Sequence, residues 1–353
     1  MNINKYKLSV LFILNIIFFK HILFINNSRK KVGVIGLEHS QNIGNNLLKY
    51  AMSIKLFELG YSPYFIGQRF RQHNISFIEN AVNCKLINNF SEINEDDYDF
   101  LMVNSDQTWK NWTSYFYDIA FLKFAEKWKK PKFIYGTSLG DSKWVFSKNH
   151  SKIAKQLLKD FTGISVREKD SVELINKTLG FKAIFVLDPT LLIDKKFYLR
   201  LNNNFKSDIF NQIINKEYIF SYILKKTTNI EKYFKYVENN LNMKVYCITI
   251  KTKNQVNEFI YGISHSKAVI TDSYHGTIFS IIFKKPFISF IRGNDVRFNS
   301  LNSIFNIKNR IYNIKSFPPI ALLKQNLILD ESKLKSLKKE SINYLKQNLY
   351  YKS

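Results

Sequence analysis

The chain's pattern predicts two α/β domains facing each other across a cleft, and three observations predict it. Apolar runs ending in glycine or polar loops alternate with helical segments from residue 31 to 187. A second series with the same alternation runs from 218 to 290. Between them, residues 194–216 are polar and rich in Asn and Lys, as a crossing between domains would be. The divisions read as 1–30, an apolar extension; 31–193, the first domain; 194–216, the connection; 217–330, the second domain; and 331–353, a C-terminal amphipathic helix.

In the first series, Val32-Gly33-Val34-Ile35-Gly36 reads as a buried strand, and residues 45–59 as a helix stopped by Gly60. Tyr64-Phe65-Ile66 then completes a β-α-β unit, which implies a right-handed crossover and a parallel sheet. Further strands are expected at 99–103, 132–135, 163–167 and 183–187, with a helix at 170–179 ended by Gly180. In the second series the strands fall at 218–224, 244–250, 268–271 and 286–290, with helices around 229–241 and 254–266. The tail places Leu334, Leu337, Ile342, Leu345 and Leu349 on one helical face, which predicts packing on a domain.

Composition excludes several classes. A chain of 353 residues, 45% hydrophobic and 16% aromatic, has ample core for two domains and is not globally disordered. Cys84 and Cys247 lie far apart, with no metal-ligand spacing, so the chain reads as reduced and intracellular. The net charge of +25 is spread along the chain, not gathered on one element, which disfavours nucleic acid as a partner. It still attracts anionic substrates and anionic lipid headgroups.

The N-terminus departs from a plain soluble enzyme. Leu8 to Ile25 is apolar apart from Ser9, Asn15, Lys20 and His21, and as a helix it would measure about 27 Å, barely enough to cross a hydrocarbon core. Arg29-Lys30-Lys31 follows and would keep the next domain on the cytoplasmic side. The expectation is a cytoplasmic protein associated with the inner face of the membrane through residues 8–25, whether spanning it or lying flat.

Ligands of parallel α/β sheets bind beyond the carboxyl ends of the strands. Those ends carry Asn42 to Asn45, Ser105-Asp106-Gln107, Ser138-Leu139-Gly140, Arg167-Glu168 and Asp272 to Gly276. In Thr271-Asp272-Ser273-Tyr274-His275-Gly276-Thr277 a strand leads into a helix, so His275 and several backbone N–H groups stand where an anion would bind.

These segments resemble the blocks of the polysaccharide pyruvyl transferase family. Asn42-Ile43-Gly44-Asn45-Asn46-Leu47 is similar to its opening Asn-x-Gly-Asn. Asn104-Ser105-Asp106-Gln107-Thr108-Trp109 is similar to Gly-Ser-Asp-Gln-x-Trp, with Asn104 in place of glycine. Tyr135-Gly136-Thr137-Ser138-Leu139-Gly140, Ser165-Val166-Arg167-Glu168, Leu187-Asp188-Pro189-Thr190 and the segment from Thr271 complete the series in order, over residues 32 to about 310.

The resemblance implies two Rossmann-like domains of the GT-B type. It also implies transfer of pyruvate from phosphoenolpyruvate to a sugar of a cell-surface polysaccharide or its lipid-linked precursor, giving a ketal with no metal or further cofactor. On that reading His275 is the proton donor or a phosphate contact. Arg167 clamps a carboxylate or phosphate, with Ser273, Gly276, Thr277 and Lys285 also toward the donor. Asn45, Ser105, Asp106, Gln107, Ser138 and Gly140 line the cleft toward the acceptor. Each has a structural alternative: a local salt bridge for Arg167, helix or turn caps for Asp106, Gln107 and Asn45, a solvated helix end for Lys284 and Lys285, and a core position for Trp109. Arg292 is a weaker candidate, and Asp188 reads as a turn. The competing functions are a nucleotide-sugar glycosyltransferase and a non-catalytic carbohydrate-binding member of the family.

Overall fold

A computed structural model describes residues 29–36, 42–68, 82–104, 106–109, 116–202, 216–252 and 255–350. The expected apolar extension over residues 8–25 lies outside them. Among the described residues no helix is long and apolar enough to cross a membrane.

The first sheet has seven parallel strands, β1 (Lys31–Ile35), β2 (Ser62–Gln68), β3 (Cys84–Ile87), β4 (Phe100–Val103), β5 (Lys132–Thr137), β6 (Phe161–Val166) and β7 (Ala183–Phe185), in the order β3-β2-β1-β4-β5-β6-β7. The second has five, also parallel: β8 (Tyr218–Tyr222), β9 (Lys244–Ile248), β10 (Ala268–Thr271), β11 (Phe287–Ile291) and β12 (Ile311–Asn313), in the order β12-β11-β10-β8-β9. Strand order reverses between β1 and β4 in one sheet and between β8 and β10 in the other. Such switch points open a crevice at the carboxyl edge.

Every strand expected from the sequence is present, and the fold is the predicted pair of parallel α/β sheets. The short strands β3 and β12 were not expected. Four residues of mixed character, Cys84-Lys85-Leu86-Ile87, carry too little periodicity to stand out, and they form a strand only because β2 offers its free edge.

Between the strands run α1 (Ile43–Glu58), α2 (Phe116–Phe121), α3 (Lys148–Leu158), α4 (Lys169–Leu179), α5 (Lys195–Arg200), α6 (Thr228–Leu241), α7 (Gln255–His265), α8 (Tyr274–Ile282), α9 (Val296–Phe305) and α10 (Glu331–Leu349). Helix α1 starts at Asn42, whose side-chain oxygen accepts from Gly44 N at 2.8 Å, and stops before Gly60, which adopts φ +93°. Every residue from Ile43 to Leu56 is buried, because α1 packs on its own sheet and against α7 and α8 of the second domain. The two cores therefore merge: Val34, Leu47 and Met102 share one apolar cluster with Phe220, Phe259 and Phe279. Each such side chain contributes roughly 1.5–3 kcal/mol on burial.

The polar connection expected at 194–216 is partly helical. Helix α5 is capped by Asp194 and buries Tyr198 against Phe279. After the second sheet the chain returns: α10 packs on the first domain, with Tyr344 Oη donating to Ile134 O (2.6 Å), Ser341 Oγ accepting from Leu187 N (2.9 Å), and Tyr61 Oη donating to Leu349 O (2.8 Å).

Candidate functional site

The loop from β10 to α8 is built by its own polar side chains. Thr271 Oγ1 donates to Tyr222 O (2.7 Å) and accepts from Ser273 N (3.1 Å), and Ser273 Oγ caps α8 by accepting from Gly276 N (3.3 Å). A Cβ on Gly276 would stand 2.2 Å from Thr271 Oγ1, so only glycine lets the first helical turn sit this close to the strand end. Thr277 Oγ1 donates to Ser273 O (3.1 Å) and shares a hydrogen bond with Ser289 Oγ (2.6 Å). Ser273, Gly276 and Thr277 thus hold the turn that presents His275.

His275 is buried at the second position of α8, and its ring lies on Gly44 in the first turn of α1. The N-termini of two helices, one from each domain, meet around this imidazole. Its Nε2 lies 3.7 Å from Asp188 Oδ2, close enough for charge but too far for a hydrogen bond, and has no other hydrogen-bond partner among the described residues. Burial pushes the imidazole below its ordinary pKa; Asp188 opposes this, and Arg167 and Arg297 add to it.

Arg167 follows β6 and is as buried as His275. Its Nη1 pairs with Asp188 and its Nη2 with Asp106. Asp188 does two things. One oxygen accepts from Thr190 N (2.9 Å) and Thr190 Oγ1 (2.6 Å), forming the turn read from the sequence. The other faces Arg167 and His275. Burial alone would raise this carboxyl, but Arg167, His275 and Thr190 together hold it below the usual carboxylate range. Arg297, in the first turn of α9, reaches Asp106 at 3.3–3.4 Å and forks onto Asp295 at 2.7 and 3.0 Å. The Tyr274 ring lies 5.1 Å from both the Arg167 and Arg297 guanidinium carbons.

Other candidates divide. Ser138 donates to Glu168, a fully buried carboxyl raised by burial and eased back by Arg167 and Ser138, so Ser138 joins the cluster's edge. Gly140 adopts φ +63°, Gln107 stands beside Asp106 at φ +46°, and Asn45 lies buried in the first turn of α1. Ser105 lies outside the described residues. Lys285 stands at the opposite end of the second sheet, where its Nζ donates to Ser266 O (2.7 Å) just before β10; it is not brought to the cluster. Arg292 pairs with Asp272 (2.6 Å), which also accepts from Leu224 N and Lys225 N and so ties together the loops after β8 and β11. Trp109 is fully buried, its Nε1 donating to Ala120 O (3.2 Å).

Sequence reasoning missed Arg297 and Tyr274 and read Asp188 only as a turn. A signal for Arg297 was present: Asp295-Val296-Arg297 begins a helix just after a strand, the placement used to select the other candidates.

The fold is shared with solved proteins. S. aureus MnaA in complex with UDP aligns with TM-score 0.55 at 12% identity, over 92% of this chain and 99% of that one. UDP-GlcNAc 2-epimerase from Neisseria meningitidis bound to UDP-GlcNAc gives 0.55 at 10%, over 90% and 100%. Arabidopsis thaliana UGT89C1 with UDP-L-rhamnose gives 0.51 at 9%, over 90% and 98%. No curated protein matches the sequence. The family model for polysaccharide pyruvyl transferase matches residues 42–294, from the cap of α1 to the loop before α9. That span holds His275, Arg167, Asp188 and Asp106, and by it the chain belongs to the polysaccharide pyruvyl transferase family.

Proposed function

We propose that the protein transfers pyruvate from phosphoenolpyruvate to a sugar of a cell-surface polysaccharide or its lipid-linked precursor, forming a ketal. The observation that carries this reading is the meeting of His275 and Arg167 about Asp188 at the seam of the two domains. The family match supports it, and Arg297 adds a second guanidinium.

The chemistry asks for few groups. A proton goes to the methylene carbon of the donor, C2 gains positive character, and a sugar hydroxyl oxygen bonds to it, giving up its proton. A second hydroxyl then bonds to C2 as the C2–O bond to phosphate breaks; of the two hydroxyl protons, one restores the acid and the other leaves with the phosphate. His275 is suited to move that proton. Burial pushes its imidazole below the ordinary pKa, and an anionic donor placed beside it would drive it back toward the charged form. The facing N-termini of α1 and α8 favour the same anion. Glu168 and Ser138, both fully buried, pair beside the cluster on the first domain.

The test is release of inorganic phosphate from phosphoenolpyruvate in the presence of a saccharide acceptor, with His275→Ala as control. A loss of about 10²–10⁴-fold in turnover is expected; a folded variant as active as the parent refutes the assignment. The UDP-bound structural neighbours favour a second reading, transfer from a nucleotide sugar, which nucleotide release in the same assay would reveal. The apolar run from Leu8 to Ile25 would hold the enzyme at a membrane. Deleting residues 1–28 should then release it to the soluble fraction, and continued sedimentation with washed membranes counts against this.

A further inference from the structure

Two guanidiniums and three carboxylates meet at the seam, and their pairing is uneven. Asp188 is held by Arg167, and Asp295 is gripped by Arg297 through two hydrogen bonds of 2.7 and 3.0 Å. Asp106 is shared. It accepts from Arg167, and both its oxygens face Arg297 Nη1 at 3.3 and 3.4 Å. Arg167 follows a strand of the first sheet and Arg297 a strand of the second, so one carboxylate is clasped between the domains. Tyr274, 5.1 Å from each guanidinium carbon, supports both from one side. Two guanidiniums, each turning one nitrogen to the same two-oxygen anion, form an oxyanion site. Here the anion is the protein's own.

Asp106 can be moved aside more easily than the groups behind it. Its side chain retains 12% exposure, against 1% for Arg167 and 0% for Asp188, and with Arg297 (16%) and Asp295 (19%) it stands on the solvent side. Each arginine keeps another carboxylate without it. The five groups carry two positive and three negative charges, and the buried Glu168 also acts on both arginines; moving Asp106 aside removes one negative charge that opposes an incoming anion.

We infer that Asp106 is a resident carboxylate in a two-arginine oxyanion slot and gives way to an oxyanion of the substrate. The identity of that oxyanion, the carboxylate or the phosphate of phosphoenolpyruvate, rests on the function proposed above; the slot itself does not. An incoming ligand competes with Asp106, so its apparent affinity is lowered by the fraction of time the slot is filled from within. A neutral head group has nothing to exchange for Asp106, so the slot selects for negative charge. This assigns Asp106 to the donor side of the cleft.

The experiment is calorimetric titration of the full chain with pyruvate and, separately, inorganic phosphate, for the parent and Asp106→Asn. The variant should bind at least one of them about tenfold more tightly, and the anion that gains identifies the group the slot takes. Asp106→Asn/Arg297→Gln should lose the gain. No gain for either anion, or a gain that survives the loss of Arg297, overturns the inference. If Asp106→Asn does not fold, Arg297→Gln alone should bind pyruvate or phosphate about tenfold more weakly than the parent, and an unchanged affinity for both overturns it equally. Phosphoenolpyruvate turnover is followed alongside. Tighter anion binding in a protein that never turns over phosphoenolpyruvate removes the proposed function and keeps the slot; turnover without any gain does the reverse.

Discussion

Gly44→Ala isolates the contact on which the seam depends. A Cβ at this position would stand 2.0 Å from His275 Nδ1, 2.4 Å from Cγ and 2.7 Å from Cε1. Ordinary contact begins near 3.4 Å, so the ring must retreat by about 1.4 Å, or α8 must move away from α1 with it. Neither is easy, because Gly276 packs on Thr271 and fixes the first turn of α8 to the strand below. Overpacking of this kind costs about 1–3 kcal/mol, while alanine gains back about 1 kcal/mol of helix propensity over glycine. Net stability should therefore fall by at most about 2 kcal/mol. A misplacement of about 1 Å at a reacting group costs on the order of 10²-fold in rate, so turnover should fall far more than stability. Denaturant unfolding and steady-state phosphate release measure the two effects on one preparation. Gly163→Ala is the control: its Cβ would meet the side-chain amide of Asn348 at 2.5 Å, away from the seam, and should cost stability without a comparable loss of turnover. A Gly44→Ala protein that turns over like the parent refutes the placement of His275 at the reacting centre.

Four further outcomes are expected. Arg167→Ala strips one partner from two carboxylates at once and should destabilise the fold by about 3–5 kcal/mol in denaturant unfolding, and Arg167→Lys should recover only part, since one ammonium cannot span both; full stability in either variant contradicts the buried pairing. If His275 must be protonated, kcat/KM for the donor should fall as pH rises through a free-enzyme pKa below the ordinary 6.5, and Asp188→Asn, which removes the group opposing burial, should move that limb to lower pH; a limb above 6.5 in the free enzyme contradicts this. Asp188 is held below its unfolded value, so its contribution to stability is complete above about pH 4 and is lost as pH falls further, and Asp188→Asn should flatten the acid limb of a stability–pH curve. Truncation before Glu331 removes the partners of Tyr61, Ile134 and Leu187 and uncovers an apolar face of the first domain, so the shortened chain should lose cooperative unfolding; a sharp transition at the parent's midpoint would show that α10 is dispensable.

Much of the fold was legible in the sequence because buried parallel strands are continuous apolar runs and glycines mark where helices stop. Val32 to Ile35, Phe133 to Tyr135 and Ala268 to Thr271 could be read locally. Strand β3 and helix α9 could not: the first takes its identity from the free edge of β2, and the second mixes buried Phe298 and Leu301 with exposed polar positions.

The sequence by itself determined the two alternating series, the strand ends where chemistry collects, and His275 and Arg167 among their residues. Only the tertiary structure decided what those residues face. Asp106 and Arg297 are 191 positions apart, and Asp106 and Arg167 are 61 apart. The first pairing depends on how one sheet is set against the other and the second on which strand ends the first sheet brings side by side, and no local pattern encodes either. For the same reason the turn at Asp188 proved to be the partner of Arg167 as well, and Gly44, legible as part of a helix start, proved to be the surface on which His275 rests. A charge buried between two domains must find its counter-charge there, and which residue supplies it is settled when the two domains pack.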